Sequence, residues 1–132
     1  MTEAAAALAE RLGISRAEQD AWAVASHARA REAQVRLRQE IVSLAGICDD
    51  TFTRHLRPVT AARAPVLAGS VTAATTAVAA DGAAFCVVSA TPRGARPLRI
   101  AACATLGAAP EAPGLAPLAP IAAVLAQTGL RP

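Results

Sequence analysis

Two short apolar runs, Phe85-Cys86-Val87-Val88-Ser89 and Leu98 to Ala104, constrain this chain more than any other feature. Neither shows the alternation of a strand with one wet face. Continuous runs of this kind are typical of strands buried on both faces, where helices cover a sheet from two sides. Asp81-Gly82-Ala83-Ala84 reads as the turn that feeds the first run, and Pro92, Gly94 and Pro97 break the chain before the second. Helical signals flank both, so the expected architecture is α/β.

The helical signals are punctuated. From Thr2 to Leu12 the sequence is rich in Ala, the best helix former, and Gly13 supplies a stop. Ser15-Arg16-Ala17-Glu18 then has the spacing of a capping box, which starts a second helix near Arg16 that runs to about Gln39. On a helical period Trp22, Ala25, Ala28 or Arg29, Ala33 and Leu37 fall near one face, leaving Arg16, Asp20, Arg31 and Arg38 for solvent. Glu40-Ile41-Val42-Ser43-Leu44, ahead of Gly46, reads as a strand, and residues 46–65 as an irregular connector. Residues 70–80 are small throughout and fit extended chain or helix equally well. Leu118, Ile121, Ala122 and Leu125 repeat at helical spacing before Gly129, which marks a final helix with a glycine stop.

Composition limits the core and the chemistry. A chain of 132 residues suits one domain, but Ala fills 37 positions and the aromatics are Trp22, Phe52 and Phe85, so little area is buried per residue. Association with another chain is the expected remedy. Lys, Asn and Tyr are absent, which removes a Schiff-base amine, an amide for an oxyanion and a phenolic acid. The net charge is +3, split as −2 over residues 1–50 and +5 over residues 51–132. The arginines are dispersed and three aromatics make no stacking platform, so a nucleic-acid partner is not expected. The N-terminus lacks the cationic and apolar regions of an export signal, and Pro113, Pro117, Pro120 and Gly114 interrupt the longest uncharged stretch. A soluble, cytoplasmic protein with no membrane partner is expected. Cys48, Cys86 and Cys103 are widely spaced and odd in number, which favours reduced thiols acting as small buried hydrophobes. Cys48, Asp49, Asp50 and His55 share the connector, but they lack the paired, closely spaced ligands of a zinc site, so no metal is expected.

Five separated segments carry a family resemblance. Gly13 to His27 (GISRAEQDAWAVASH), Glu40-Ile41-Val42, Val71-Thr72-Ala73, Asp81-Gly82-Ala83-Ala84 and Pro97-Leu98-Arg99-Ile100 stand in the order of the corresponding segments of thiolases, and Gly129-Leu130 matches the Gly-Leu pair that ends a later helix. The chain resembles the middle third of a thiolase subunit. The family's nucleophilic Cys lies upstream of this region, and its Asn-Glu-Ala-Phe, Gly-His-Pro and second Cys motifs lie downstream. Met1 falls on a Met inside the family pattern, so a piece of a longer polypeptide is one expectation.

The resemblance implies an α/β fold, a partial thiolase-like layer of two to four strands with about three main helices and open edges. It implies a single partial domain over 1–132, with loop-domain-like helices and connector in 1–65 and strands plus the C-terminal helix in 66–132. Acyl exchange on a CoA thioester needs a thiolate, a base, a second acid-base group and oxyanion donors. None of Cys48, Cys86, Cys103, His27 and His55 stands at a family catalytic position, so no catalytic residue is assigned. Cys86 and Cys103 fall in the expected buried strands, where a thiol is inert. The family's Gly-Asn-x-Ser-Gly stretch, which approaches the pantetheine arm of CoA, reads Ala74-Thr75-Thr76-Ala77-Val78 here, with a β-branched side chain where glycine gave room. Arg57-Pro58 resembles an Arg-Pro pair of the region that covers CoA, which makes Arg57 the sole cofactor-binding candidate, for a CoA phosphate. No resident cofactor is expected, and CoA or acyl-CoA enters only as a substrate shared with a partner. The first expectation is therefore a component of a split or heteromeric acyl-CoA acyltransferase assembly, partnered by another thiolase-like chain and not catalytic by itself. The second is a degenerate homo-oligomeric module. The third is a small enzyme using a local Cys and His.

Overall fold

The glycine after the Ala-rich start ends the first element. In a computed structural model, which describes residues 1–80, 82–94 and 98–131, α1 (Thr2–Arg11) stops against Gly13 at φ 67°. Gly13 N–H donates to the Glu10 carbonyl at 3.1 Å and Ile14 N–H to the Ala9 carbonyl at 2.9 Å, the paired bonds of a Schellman closure. Ser15 then opens α2 (Arg16–Glu32) with the expected capping box. Its Oγ accepts from Glu18 N–H at 3.3 Å and its own N–H donates to Glu18 Oε2 at 2.8 Å. The long helix is broken at Ala33 (φ −80°, ψ −6°), beyond which α3 (Gln34–Glu40) continues.

The strand expected at Glu40 to Leu44 does not form. α3 runs through Glu40, and Leu44 and Ile47 exchange backbone hydrogen bonds of 3.1 and 3.0 Å around Ala45 and Gly46, at φ 51° and 82°. Two successive positive φ values match a type I′ turn. The β-branched residues favour extended backbone, but they have no neighbouring strand to pair with. Strands appear instead at β1 (Val66–Ala68) and β2 (Val71–Thr72), an antiparallel hairpin in the stretch whose small residues left the sequence ambiguous. α4 (Pro58–Ala62) precedes it, with Pro58 at N1, where the missing N–H costs no hydrogen bond.

The chain divides into two units, Met1–Val78 and Ala79–Pro132. In the first, α2 packs on α4, and Leu56, Ala61 and Ala74 form a small core against Ala23, Val24 and Ala64. α1 lies on the hairpin. The buried side of α2 is nearly opposite to the one expected. Ala23 and Val24 face the core, whereas Trp22 is 70% exposed, with the Arg29 guanidinium 5.7 Å from its ring centroid. Arg16, expected in solvent, is half-buried. It donates through Nε to Asp20 Oδ2 at 2.9 Å and through one terminal nitrogen to the carbonyls of Ala61 (3.0 Å), Ala62 (3.3 Å) and Ala64 (3.4 Å). It thereby adds a charged donor to the carbonyls at and just beyond the C-terminal end of α4, where Ala61 O also accepts from Ala64 N–H at 3.0 Å.

The second unit holds a 3₁₀ turn (Pro113–Leu115) and α5 (Leu118–Thr128), which ends at Gly129 with φ 70° as its glycine signal predicts. Pro120 sits in the first turn of α5, where proline is tolerated. The two apolar runs that promised buried strands form none among the described residues; Phe85 is 97% and Leu98 98% exposed. Cys86 and Cys103, expected inside those strands, are exposed, as is Cys48. A strand buried on both faces needs hydrogen-bonding neighbours and cover on two sides, and among the described residues this unit supplies one helix longer than a single turn. Asp81 of the expected turn and Pro97 of the PLRI segment lie outside the described residues. Among the described residues the fold is thus mixed α/β, helices with one two-stranded antiparallel sheet, which is compatible with a partial thiolase-like domain. Among the described residues no helix is long and apolar enough to cross a membrane.

Candidate functional site

An open cleft of about 720 Å³ lies in the first unit between α1, α2 and the end of the hairpin. Leu8, Ala9, Ile14, Trp22, Ala23 and Val71 give it apolar walls, and Ala74 to Ala77 form the far side. The capping box and the Schellman closure fix its geometry. Together they set the angle between α1 and α2, and hence the space between Leu8 and Trp22.

The polar groups on the walls are mostly committed to the protein itself. Glu18 is held by Ser15, whose hydroxyl and backbone N–H donors lower the Glu18 carboxyl below the usual carboxylate range. Gln19 Nε2 donates to Ser70 Oγ at 2.8 Å and to the Ile14 carbonyl at 3.2 Å. His27 Nδ1 accepts from the Arg54 N–H at 3.4 Å. The two threonines turn inward on the fully buried Thr72. Thr75 Oγ1 accepts from Thr72 N–H at 2.9 Å, and the Thr75 and Thr76 hydroxyls reach the Thr72 carbonyl at 3.2 and 2.8 Å. The Ala74-Thr75-Thr76-Ala77-Val78 stretch therefore spends its hydroxyls on its own turn.

No cysteine lines this cleft. Of the five Cys and His residues considered as nucleophile or base, only His27 reaches it. Cys48 lies beside Asp49, its Sγ 3.9 Å from Oδ2. Asp49 is bound by the Arg38 guanidinium, which donates to both carboxylate oxygens, holds the Asp49 carboxyl low and pushes the arginine up. Asp50 accepts from the Thr53 hydroxyl and the Phe52 N–H, which lower its carboxyl. His55 is exposed and lines a separate groove of about 450 Å³ with Arg31, Arg54 and Leu56. Among the described residues no group of three or more His, Cys, Asp or Glu is arranged to hold a metal. Arg57 is the exposed N-cap residue of α4 and is not part of the cleft lining.

Sequence periodicity placed Trp22 on the helix's inner face, and the structure makes it a wall of an open cleft. The signal for this role was faint: a lone aromatic among the small and charged residues of α2, a few residues after a well-formed cap.

Residues 1–91 match the family model for the thiolase N-terminal domain, so the chain belongs to the thiolase family. No curated protein and no solved structure matches it.

Proposed function

We propose that the chain is the thiolase-like component of a split or heteromeric acyl-CoA acyltransferase assembly and is not catalytic by itself. The observation that carries this reading is the cleft. It lies within the family-matched region, its walls are apolar, and it has no thiol, while the three cysteines of the chain are exposed elsewhere. Thioester exchange proceeds through a thiolate positioned beside a base and oxyanion donors. His27 alone, with Nδ1 already accepting a backbone N–H, supplies neither the nucleophile nor the second proton carrier. The reactive sulfur in this proposal comes from another thiolase-like chain, and acyl-CoA is a substrate that the two share. Arg57, exposed at the start of α4, is the residue proposed to meet a CoA phosphate, a role suited to a guanidinium.

The test is thioester turnover by the purified chain, alone and with thiolase-like chains encoded beside it. The expected result is no thiolysis or acyl exchange above the uncatalysed rate for the chain alone, and a stable complex with a thiolase-like partner. Turnover by the isolated chain that disappears when its thiols are alkylated overturns the reading.

A second reading, a homo-oligomeric thiolase-like module without catalysis, is favoured by the exposed, uncharged segment Phe85–Ser89.

A further inference from the structure

We propose that the cleft of the first unit binds a linear fatty carboxylate of roughly ten carbons, its tail between Leu8 and Trp22 and its carboxylate at Ser26 and Arg29. Such a ligand is an effector, distinct from the acyl-CoA of the reading above, and its binding asks nothing of a partner chain.

The middle of the cleft is apolar and its ends are polar. Leu8, Trp22 and Val71 wall it, and the small side chains of Ala9, Ala23 and Ala74 leave a slot between them. From Glu18 to Ser26 the lining follows α2 for eight positions, about 12 Å at about 1.5 Å per residue, roughly the length of an extended ten-carbon chain. The volume of about 720 Å³ accommodates such a chain and is typical of small-molecule sites. Gln19, Thr75 and Thr76 spend their side-chain donors on the protein itself, so along the slot they offer none to a ligand. A bare methylene chain matches that stretch, because it brings no polar group that would go unpaired.

Charge sets the direction of the chain. At one end stands the Glu18 carboxylate, which repels an anionic head. At the other, Ser26 lines the cleft, and Arg29, three positions on, shares its helix face. The Arg29 guanidinium lies over the Trp22 ring, 5.7 Å from its centroid, which draws it to the cleft wall. Among the described residues it belongs to no ion pair. A guanidinium stacked on a ring keeps its edge N–H groups for a carboxylate, and the Ser26 hydroxyl adds another donor. The head therefore sits between Ser26 and Arg29, and the tail runs toward Ile14. A thioester carbonyl carries no charge and would leave Arg29 without a counter-ion, so the free acid is the form that this rim fits.

The experiment is isothermal titration calorimetry of the full chain with decanoate, butyrate, 1-decanol and decanoyl-CoA, paired with the emission of Trp22, the single tryptophan. Decanoate should bind saturably, one per chain, and shift the emission of the exposed Trp22 to the blue as the tail covers its ring. Butyrate, six methylenes shorter, should bind at least about a hundredfold more weakly, and decanol at least about tenfold more weakly. Arg29→Gln should weaken decanoate by at least about tenfold and leave decanol unchanged. Ala5→Phe, which fills the slot from an exposed position on α1, should weaken both, with helix content by circular dichroism unchanged in both variants. No saturable binding, an affinity indifferent to chain length or to Arg29→Gln, or binding that survives Ala5→Phe overturns the proposal. Decanoyl-CoA that binds more tightly than decanoate and is unmoved by Arg29→Gln also overturns it, and gives the cleft to an acyl substrate. Turnover of decanoyl-CoA by the isolated chain would remove the non-catalytic reading while leaving the decanoate result intact.

Discussion

Gly69 and Ala6 approach so closely that a β-carbon added to Gly69 would lie 3.1 Å from the Cβ of Ala6. Gly69 also holds φ at +50°, a region L side chains rarely adopt. The hairpin turn and α1 can meet only because neither residue carries more than it does. Gly69→Ala should lower stability by about 3 kcal/mol, from a left-handed backbone cost of about 1–2 kcal/mol and an overpacking cost of similar size. Gly46 has a positive φ but open space around its Cβ position, so Gly46→Ala should cost about 1–2 kcal/mol, the backbone share alone. Thermal unfolding of both variants checks the ranking, and equal losses would show that the Ala6 contact is unimportant.

Arg16 ties α2 to α4 through three carbonyls and Asp20. Arg16→Met should cost about 2–3 kcal/mol, because hydrogen bonds to a charged group are lost and the half-buried Asp20 carboxylate loses its ion-pair partner. Arg16→Lys should recover only part of this, since an ammonium cannot reproduce the fork that reaches Asp20 with one nitrogen and the carbonyls with another. Urea denaturation gives the comparison, and a fully stable Lys variant would contradict it.

The Ser15–Glu18 box predicts a pH dependence with a definite sign. Its donors lower the Glu18 carboxyl in the folded state relative to the unfolded chain. Its contribution is therefore present above the ordinary carboxylate range and is lost as the pH falls through the lowered folded value. Ser15→Ala should cost about 1 kcal/mol at neutral pH, the usual worth of an N-cap hydroxyl. In acid the gap between parent and variant should narrow. A gap that widens on acidification would reverse the assignment.

The three thiols offer a direct test of the second unit. All are exposed, so a small thiol reagent should modify Cys48, Cys86 and Cys103 in dilute native protein without denaturant and without loss of helix signal. Three silent thiols in dilute protein would instead restore the buried strands that periodicity suggested.

These tests fall where sequence and structure part company. Local chemistry was legible: Gly13 and Gly129 end their helices as left-handed glycines should, and Ser15 with Glu18 caps α2 as their spacing implies. What failed was anything decided at a distance. The inner face of α2 is set by Leu56 and Ala61, which come from a connector without periodicity, and by Arg16 reaching carbonyls more than forty residues away. Apolar side chains on a helix as Ala-rich as α2 give too weak a stripe to overrule those contacts. Glu40 to Leu44 and the two later runs have strand-forming residues, but a strand exists only when another pairs with it, and strand propensity is largely a record of such neighbours. Of the candidate site, the Ala74–Val78 stretch was visible in the sequence, while the walls contributed by Leu8 and Trp22 depend on how α1 and α2 meet.

Thr72 has a last consequence. Its N–H, carbonyl and hydroxyl oxygen are each engaged by residues within the next four positions, so this bend draws its shape from side-chain oxygens where a glycine-rich segment would draw it from bare backbone. A bend held that way is stiff. The cleft wall beside it therefore shows hydroxyls whose protons already point back into the chain, between apolar side chains.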